Sequence, residues 1–120
     1  MKPIFLIILI TISLLSVSAQ AEDTDSGDYI ISGCEAVAGL RKANDWDTRS
    51  REWMCFGAIT AVSFEALANG YLCAPEGVTK GQEARVVSKD MENHPENLSQ
   101  PYTVLIYNAL VQAWPCKMKK

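Results

Sequence analysis

Beyond an apolar leading segment, the chain places apolar residues at three- and four-residue steps almost throughout. The period-two alternation of strands is scarce, so the pattern is helical. Tyr29, Gly33, Val37 and Leu40 form one stripe and predict a first helix. Its start is either an Asp28 cap or, later, a capping box made by Ser32 and Glu35. A turn over residues 44–48 is rich in N-cap types. Trp53, Phe56, Gly57, Thr60, Phe64, Leu67 and Tyr71 then recur at helical steps and predict a second helix, stopped by Asn69-Gly70. By periodicity Trp53, Tyr71, Tyr102, Tyr107 and Trp114 are expected mostly in the core. Gly57, which costs about 1 kcal/mol against Ala inside a helix, is expected to admit a second helix at close range.

Cys73 to Gly77 reads as a turn. Thr79-Lys80-Gly81-Gln82 is a capping box that opens a third helix, with Ala84, Val87 and Met91 on its apolar side. Pro95 ends that helix near Asn93 or His94, because the residue before proline avoids the helical region. Ser99 is expected to cap a fourth helix, with Pro101 tolerated in its first turn. Here Tyr102, Leu105, Ile106, Ala109, Leu110 and Ala113 form one apolar face, and Val104, Tyr107, Val111 and Trp114 a second. A helix apolar all round belongs at the centre of the fold or in a subunit interface. The expected fold is therefore all-α, a compact bundle of about four helices, and a homodimer is expected from the excess apolar surface of the fourth.

Ahead of the helices, Lys2 supplies a positive charge, an uncharged apolar run extends from Pro3 to Val17, and small residues follow up to Ala21. This is the three-part plan of a cleavable secretory signal peptide. The run falls short of the ~20 residues that span a bilayer. The expected organisation is a signal peptide over 1–21, an acidic tail over 22–28, a helical domain over 29–116 and a basic tail over 117–120. The formal net charge is −3 before cleavage and becomes more negative when Lys2 is lost. Nucleic acid is thus a poor partner, and no membrane association is expected after cleavage.

Export changes the meaning of the four cysteines, Cys34, Cys55, Cys73 and Cys116. In an oxidising compartment an even count points to two disulfides. Cys55 and Cys73 stand near opposite ends of the second helix, some 20–27 Å apart at ~1.5 Å per residue. Bonded cysteines need Cα atoms within about 7 Å, so that pair is excluded. In an up-down-up-down bundle, Cys34 and Cys55 lie at similar height, each about two turns from the first connection. Cys73 and Cys116 fall at the opposite end. The expected pairs are Cys34–Cys55 and Cys73–Cys116.

Other chemistry is thin. His94 is the lone histidine, and its place at a helix end suits a structural role. With the thiols oxidised, no metal site has enough ligands. The glycines are scattered and make no phosphate loop. Glu92 and Glu96 have polar neighbours and read as solvated charge rather than a catalytic pair. Asn97-Leu98-Ser99 is a glycosylation sequon whose use depends on the source. No catalytic residue and no cofactor is assigned. Trp46, in a polar turn, is either a cap over the bundle end or an exposed recognition residue.

Several short motifs, in order, resemble one family. They are Cys55-x-Gly57, Cys73-x-Pro75, Val78-Thr79-x-x-Gln82, Val86-Val87, His94-Pro95-Glu96 and Ala109-Leu110-x-x-Ala113-Trp114-Pro115-Cys116. The family is the small periplasmic "resistance-associated" immunity proteins of bacterial type VI secretion systems. The chain departs from it after Gly57, where Ala58-Ile59-Thr60-Ala61 replaces a Tyr-Ile-x-Gly type run. The resemblance implies a periplasmic α-helical protein, often dimeric and without enzymatic activity. It also implies binding to an NlpC/P60-like peptidoglycan amidase and obstruction of its cleft. It carries over no contact residues. Helix starts and turns are the expected probes, namely Trp46, Asp47, Glu76 and Lys80. The competing reading is an exported helical carrier of an apolar ligand, which would need a continuous internal pocket.

Overall fold

A computed structural model describes residues 23–117. The expected signal peptide lies outside the described residues, as does most of the basic tail. Four α-helices follow in order: α1 (Gly27–Val37), α2 (Trp46–Ala68), α3 (Lys80–Asn93) and α4 (Tyr102–Ala113), with a 3-10 turn over Pro95–Asn97. α1 packs mainly against α2 and α3, and α4 packs against the same two, so α1 and α4 lie across a diagonal of the bundle.

Two of the expected helix starts differ. α1 is capped by Ser26, whose hydroxyl accepts from the Tyr29 N–H at 3.3 Å, and not by Asp28 or Ser32. Asp28 lies in the first turn instead, so the helical domain begins before residue 29. The reason is tertiary. Extended Ser26 bridges to Pro101, the Gly27 N–H donates to the Gln100 carbonyl at 3.0 Å, and the Tyr102 N–H donates to the Asp25 carbonyl at 2.8 Å. The same pairing starts α4 at Tyr102. Pro101 stands at its cap position with no side-chain cap, and Ser99 does not cap it. The Asp25 carbonyl satisfies an orphan amide that a side-chain cap would otherwise serve.

The starts and ends of α2 and α3 follow the sequence. Asp45 caps α2 through the Thr48 N–H at 2.8 Å and also accepts from the Thr48 hydroxyl at 2.8 Å. Past Asn69, Gly70 adopts a φ of 74°, the left-handed conformation glycine tolerates best. The Thr79–Gln82 capping box makes both of its bonds, at 2.8 and 3.2 Å.

The core gathers Ile30 and Cys34 of α1, Cys55 and Ile59 of α2, Val87 and Met91 of α3, and Ile106 and Leu110 of α4. Both expected disulfides are present, Cys34–Cys55 and Cys73–Cys116, with Cα separations of 5.3 and 4.9 Å. Three expectations about packing are corrected. First, α2 buries Cys55, Ile59, Ser63 and Ala66, while its bulky stripe faces outward: Trp53 is 66% exposed and Phe64 74%. Second, the close approach is at Gly33, where a Cβ would stand 2.2 Å from the Arg51 carbonyl carbon. Gly57 has no neighbour within 4 Å of such a Cβ. Third, Leu40 lies beyond the end of α1 and is exposed. The second apolar face of α4 is largely absorbed within the fold, since Tyr107 and Trp114 pack against the core and Val111 is half-buried.

Candidate functional site

The outer face of α2 is the feature that the core does not explain. Trp53, Phe56, Phe64, Leu67 and Tyr71 are all exposed, with Tyr71 just past the helix. Trp53 and Phe56 meet edge to face, with ring centroids 6.4 Å apart. Toward the start of α2, these two rings form a groove of about 280 Å³ with Val37, Glu52, Lys80 and Gly81. Toward its end, a second groove of about 320 Å³ runs between α2 and α4, lined by Val62, Ala66, Tyr71, Val104 and Tyr107 among others. Both grooves are open to solvent.

The four residues expected to contact a partner fall in different settings. Trp46, the first residue of α2, is 85% exposed, so it is not a cap over the bundle end. Asp47 is exposed and pairs with Arg51 one turn on, at 2.6 Å. Glu76 is exposed in the turn before α3. Lys80 is held to Glu83 at 2.7 Å and also lines the groove beside Trp53 and Phe56. Lys80 and the α2 aromatics are thus brought to one site, and Trp46 stands two turns, or about 10 Å, before Trp53 along the helix.

Sequence reasoning missed the buried polar centre behind Lys80. The Ser63 hydroxyl donates to Glu83 at 2.8 Å, and both side chains are buried. Glu83 therefore receives one hydrogen bond from the core of α2 and one charge-assisted bond from its own helix. The only signal in sequence was a Lys–Glu spacing of three, which reads as an ordinary surface pair.

Two exposed carboxylates, Asp45 and Glu96, are shifted by their neighbours. Asp45 is held below its ordinary value of 3.8, first by the Thr48 N–H and then by the Thr48 hydroxyl. Glu96 is held below its ordinary 4.5, first by a backbone N–H and then by His94, 3.2 Å away. Among the described residues, no three His, Cys, Asp or Glu side chains gather to hold a metal ion. All four cysteines are in disulfides, so none offers a thiol.

Comparison with known proteins adds the last observation. Residues 26–116 match the family model of the Rap1a immunity proteins, a span that covers all four helices and both disulfides. No curated protein and no solved structure matches the chain.

Proposed function

The chain belongs to the Rap1a immunity protein family, and from that membership we propose that it is an exported, non-enzymatic inhibitor. It binds a cognate NlpC/P60-like peptidoglycan amidase delivered by type VI secretion and obstructs the active-site cleft. The observation that carries this reading is the family match across the whole helical domain. The physical properties agree. Two disulfides reduce the freedom lost on binding, which favours affinity for a fixed set of contacts. They also suit the oxidising periplasm proposed as its location. Among the described residues, no helix is long and apolar enough to cross a membrane.

The proposed contact residues are Trp46 and Asp47 at the start of α2, and Glu76 and Lys80 around the start of α3. A tryptophan at 85% exposure has nothing to gain from the fold and much to gain from a partner. The test is coexpression of the processed chain with candidate amidases, followed by size-exclusion chromatography and a peptidoglycan-cleavage assay. Co-elution with loss of cleavage is expected for the cognate enzyme. Full cleavage in the presence of excess chain, for every amidase encoded beside it, would count against the reading.

A further inference from the structure

We propose that the groove between α2 and α4 receives an arginine side chain presented by a partner protein, with Glu65 as its counter-charge. The inference makes no use of an amidase and stands apart from the proposed function.

The first ground is the charge. Within α2 the carboxylates Asp47 and Glu52 each have a cation, Arg51 at 2.6 Å and Arg49 at 3.6 Å. The Glu65 carboxylate has no ion pair or hydrogen bond among the described residues. The positions three and four residues from it are Ala61, Val62, Ala68 and Asn69, and none is basic. No Lys or Arg lines the groove from α4 either.

The second ground is the surroundings of that charge. Val62, Glu65, Ala66 and Asn69 follow at helical steps and form the α2 wall. Val104 and Tyr107 line it from α4, and Tyr71, just past α2, adds a second phenol ring. The result is a mostly apolar trough of about 320 Å³ with a few polar groups, the usual make-up of a binding site.

Arginine suits this trough. Its methylene stem can lie along Val62 and Val104 while the charged end stays near water. Its guanidinium binds a carboxylate through paired hydrogen bonds and stacks on aromatic rings, which the compact ammonium of lysine does less well. Asn69 supplies a further acceptor, because its Nδ2 donates to the Glu65 carbonyl at 2.9 Å and leaves the amide oxygen for the ligand. The groove beside Trp53 has no such preference, since Lys80 and Glu52 line it together and each is already paired.

The setting favours a protein as the source of the arginine. The groove is open, and Phe64 and Leu67 are exposed on the same half of α2, so a protein has apolar area to cover beside it. A free small molecule would gain nothing from that area. The chain is also acidic, with a formal net charge of −3, which steers a basic partner toward it.

The experiment is an amide chemical-shift titration of the processed, oxidised chain. The probe is N-acetyl-arginine amide, and N-acetyl-citrulline amide is its uncharged isostere. Saturable shifts are expected at Val62, Glu65, Val104 and Tyr107, with a Kd in the millimolar range. The citrulline probe should bind about fivefold more weakly, the upper end for an exposed ion pair, and so should the arginine probe to Glu65→Gln. Glu65 is exposed, so this variant should keep the wild-type fold. Glu92→Gln, which removes an exposed carboxylate of α3, should bind like wild type.

Four results would overturn the inference. One is the absence of saturable shifts at the groove. Another is equal binding of the two probes, or a loss in Glu65→Gln no larger than in Glu92→Gln. The third is tighter binding of free arginine than of the capped probe, which would make the groove a small-molecule site. The fourth is a groove that takes the probe only after Lys117, Lys119 and Lys120 are replaced by serine, which would assign it to the chain's own tail. None of these outcomes bears on whether an amidase is inhibited.

Discussion

Cys34 and Cys55 are bonded with their Cα atoms 5.3 Å apart, both wholly buried, and the bond fixes which side of α2 faces inward. A helix with Trp53, Phe56 and Phe64 on one side would bury that side if area alone decided. Each buried aromatic would contribute several times what an alanine does. The bond to α1 requires Cys55 to point inward, and Ile59, Ser63 and Ala66 follow it at helical spacing. The aromatic side is left to solvent or to a partner.

Replacing Cys34 and Cys55 together by alanine should cost roughly 3 kcal/mol, the expectation for closing a loop of this length, measured by urea unfolding. Under a titration of dithiothreitol the two bonds should open in sequence. Cys73 is exposed and Cys116 half-buried, so Cys73–Cys116 should be reduced first. Timed alkylation and peptide mapping give the order, and earlier labelling of Cys34 would contradict it.

Two glycine-to-alanine substitutions should have opposite signs. Gly33→Ala forces a methyl group 2.2 Å from the Arg51 carbonyl carbon, and α1 and α2 must separate to admit it. A loss of about 1–3 kcal/mol is expected, despite the better helix propensity of alanine. Gly57→Ala meets nothing within 4 Å. It should gain about 0.5–1 kcal/mol. Thermal melts of the two variants settle the comparison.

Glu83→Ala leaves the buried Ser63 hydroxyl without its acceptor and Lys80 without its partner. A loss of roughly 1–3 kcal/mol is expected, because an unpaired buried donor costs more than its hydrogen bond contributed. Glu83→Gln keeps an acceptor for Ser63 and should recover much of that loss. Equal destabilisation by the two variants would show that the charge, rather than the hydrogen bond, holds the site.

Asp45 should make the start of α2 sensitive to acid. Its carboxyl is lowered in the folded state, chiefly by the Thr48 N–H. A group lowered on folding adds stability above its unfolded value, here about 3.8, and that stability disappears as pH falls through the lower folded value. Asp45→Asn keeps an acceptor for the Thr48 amide but does not titrate. The stability difference between wild type and Asp45→Asn should therefore shrink as pH drops below 4. Denaturant melts across that range measure it, and a constant difference would exclude Asp45 as the source.

Trp46→Ala should leave the melting temperature unchanged, because the side chain is 85% exposed and the Asp45 cap beside it is intact. If Trp46 anchors the proposed amidase complex, affinity should fall by about 2 kcal/mol or more, a roughly thirtyfold rise in Kd. Calorimetry on the wild type and this variant separates the two readouts.

The sequence by itself determined the four helices, the disulfide pairing and most helix ends. These depend on local spacing, on capping residues such as Asp45 and Thr79, and on distances along a rigid helix that bring Cys34 level with Cys55. It also showed the motifs by which the chain resembles its family. Only the tertiary structure decided the rotation of α2, the true starts of α1 and α4 and the buried Ser63–Glu83 bond. Helical periodicity shows that a stripe exists but not which way it turns, and both sides of α2 carry apolar residues. The cap at Ser26 and the start at Tyr102 depend on each other across the fold, through the Asp25 carbonyl and the Ser26–Pro101 bridge. No local rule links residues that far apart. The same limit kept the outer face of α2 hidden. Its residues spell a core, and they became a surface only when a bond between two other residues put the opposite side inside.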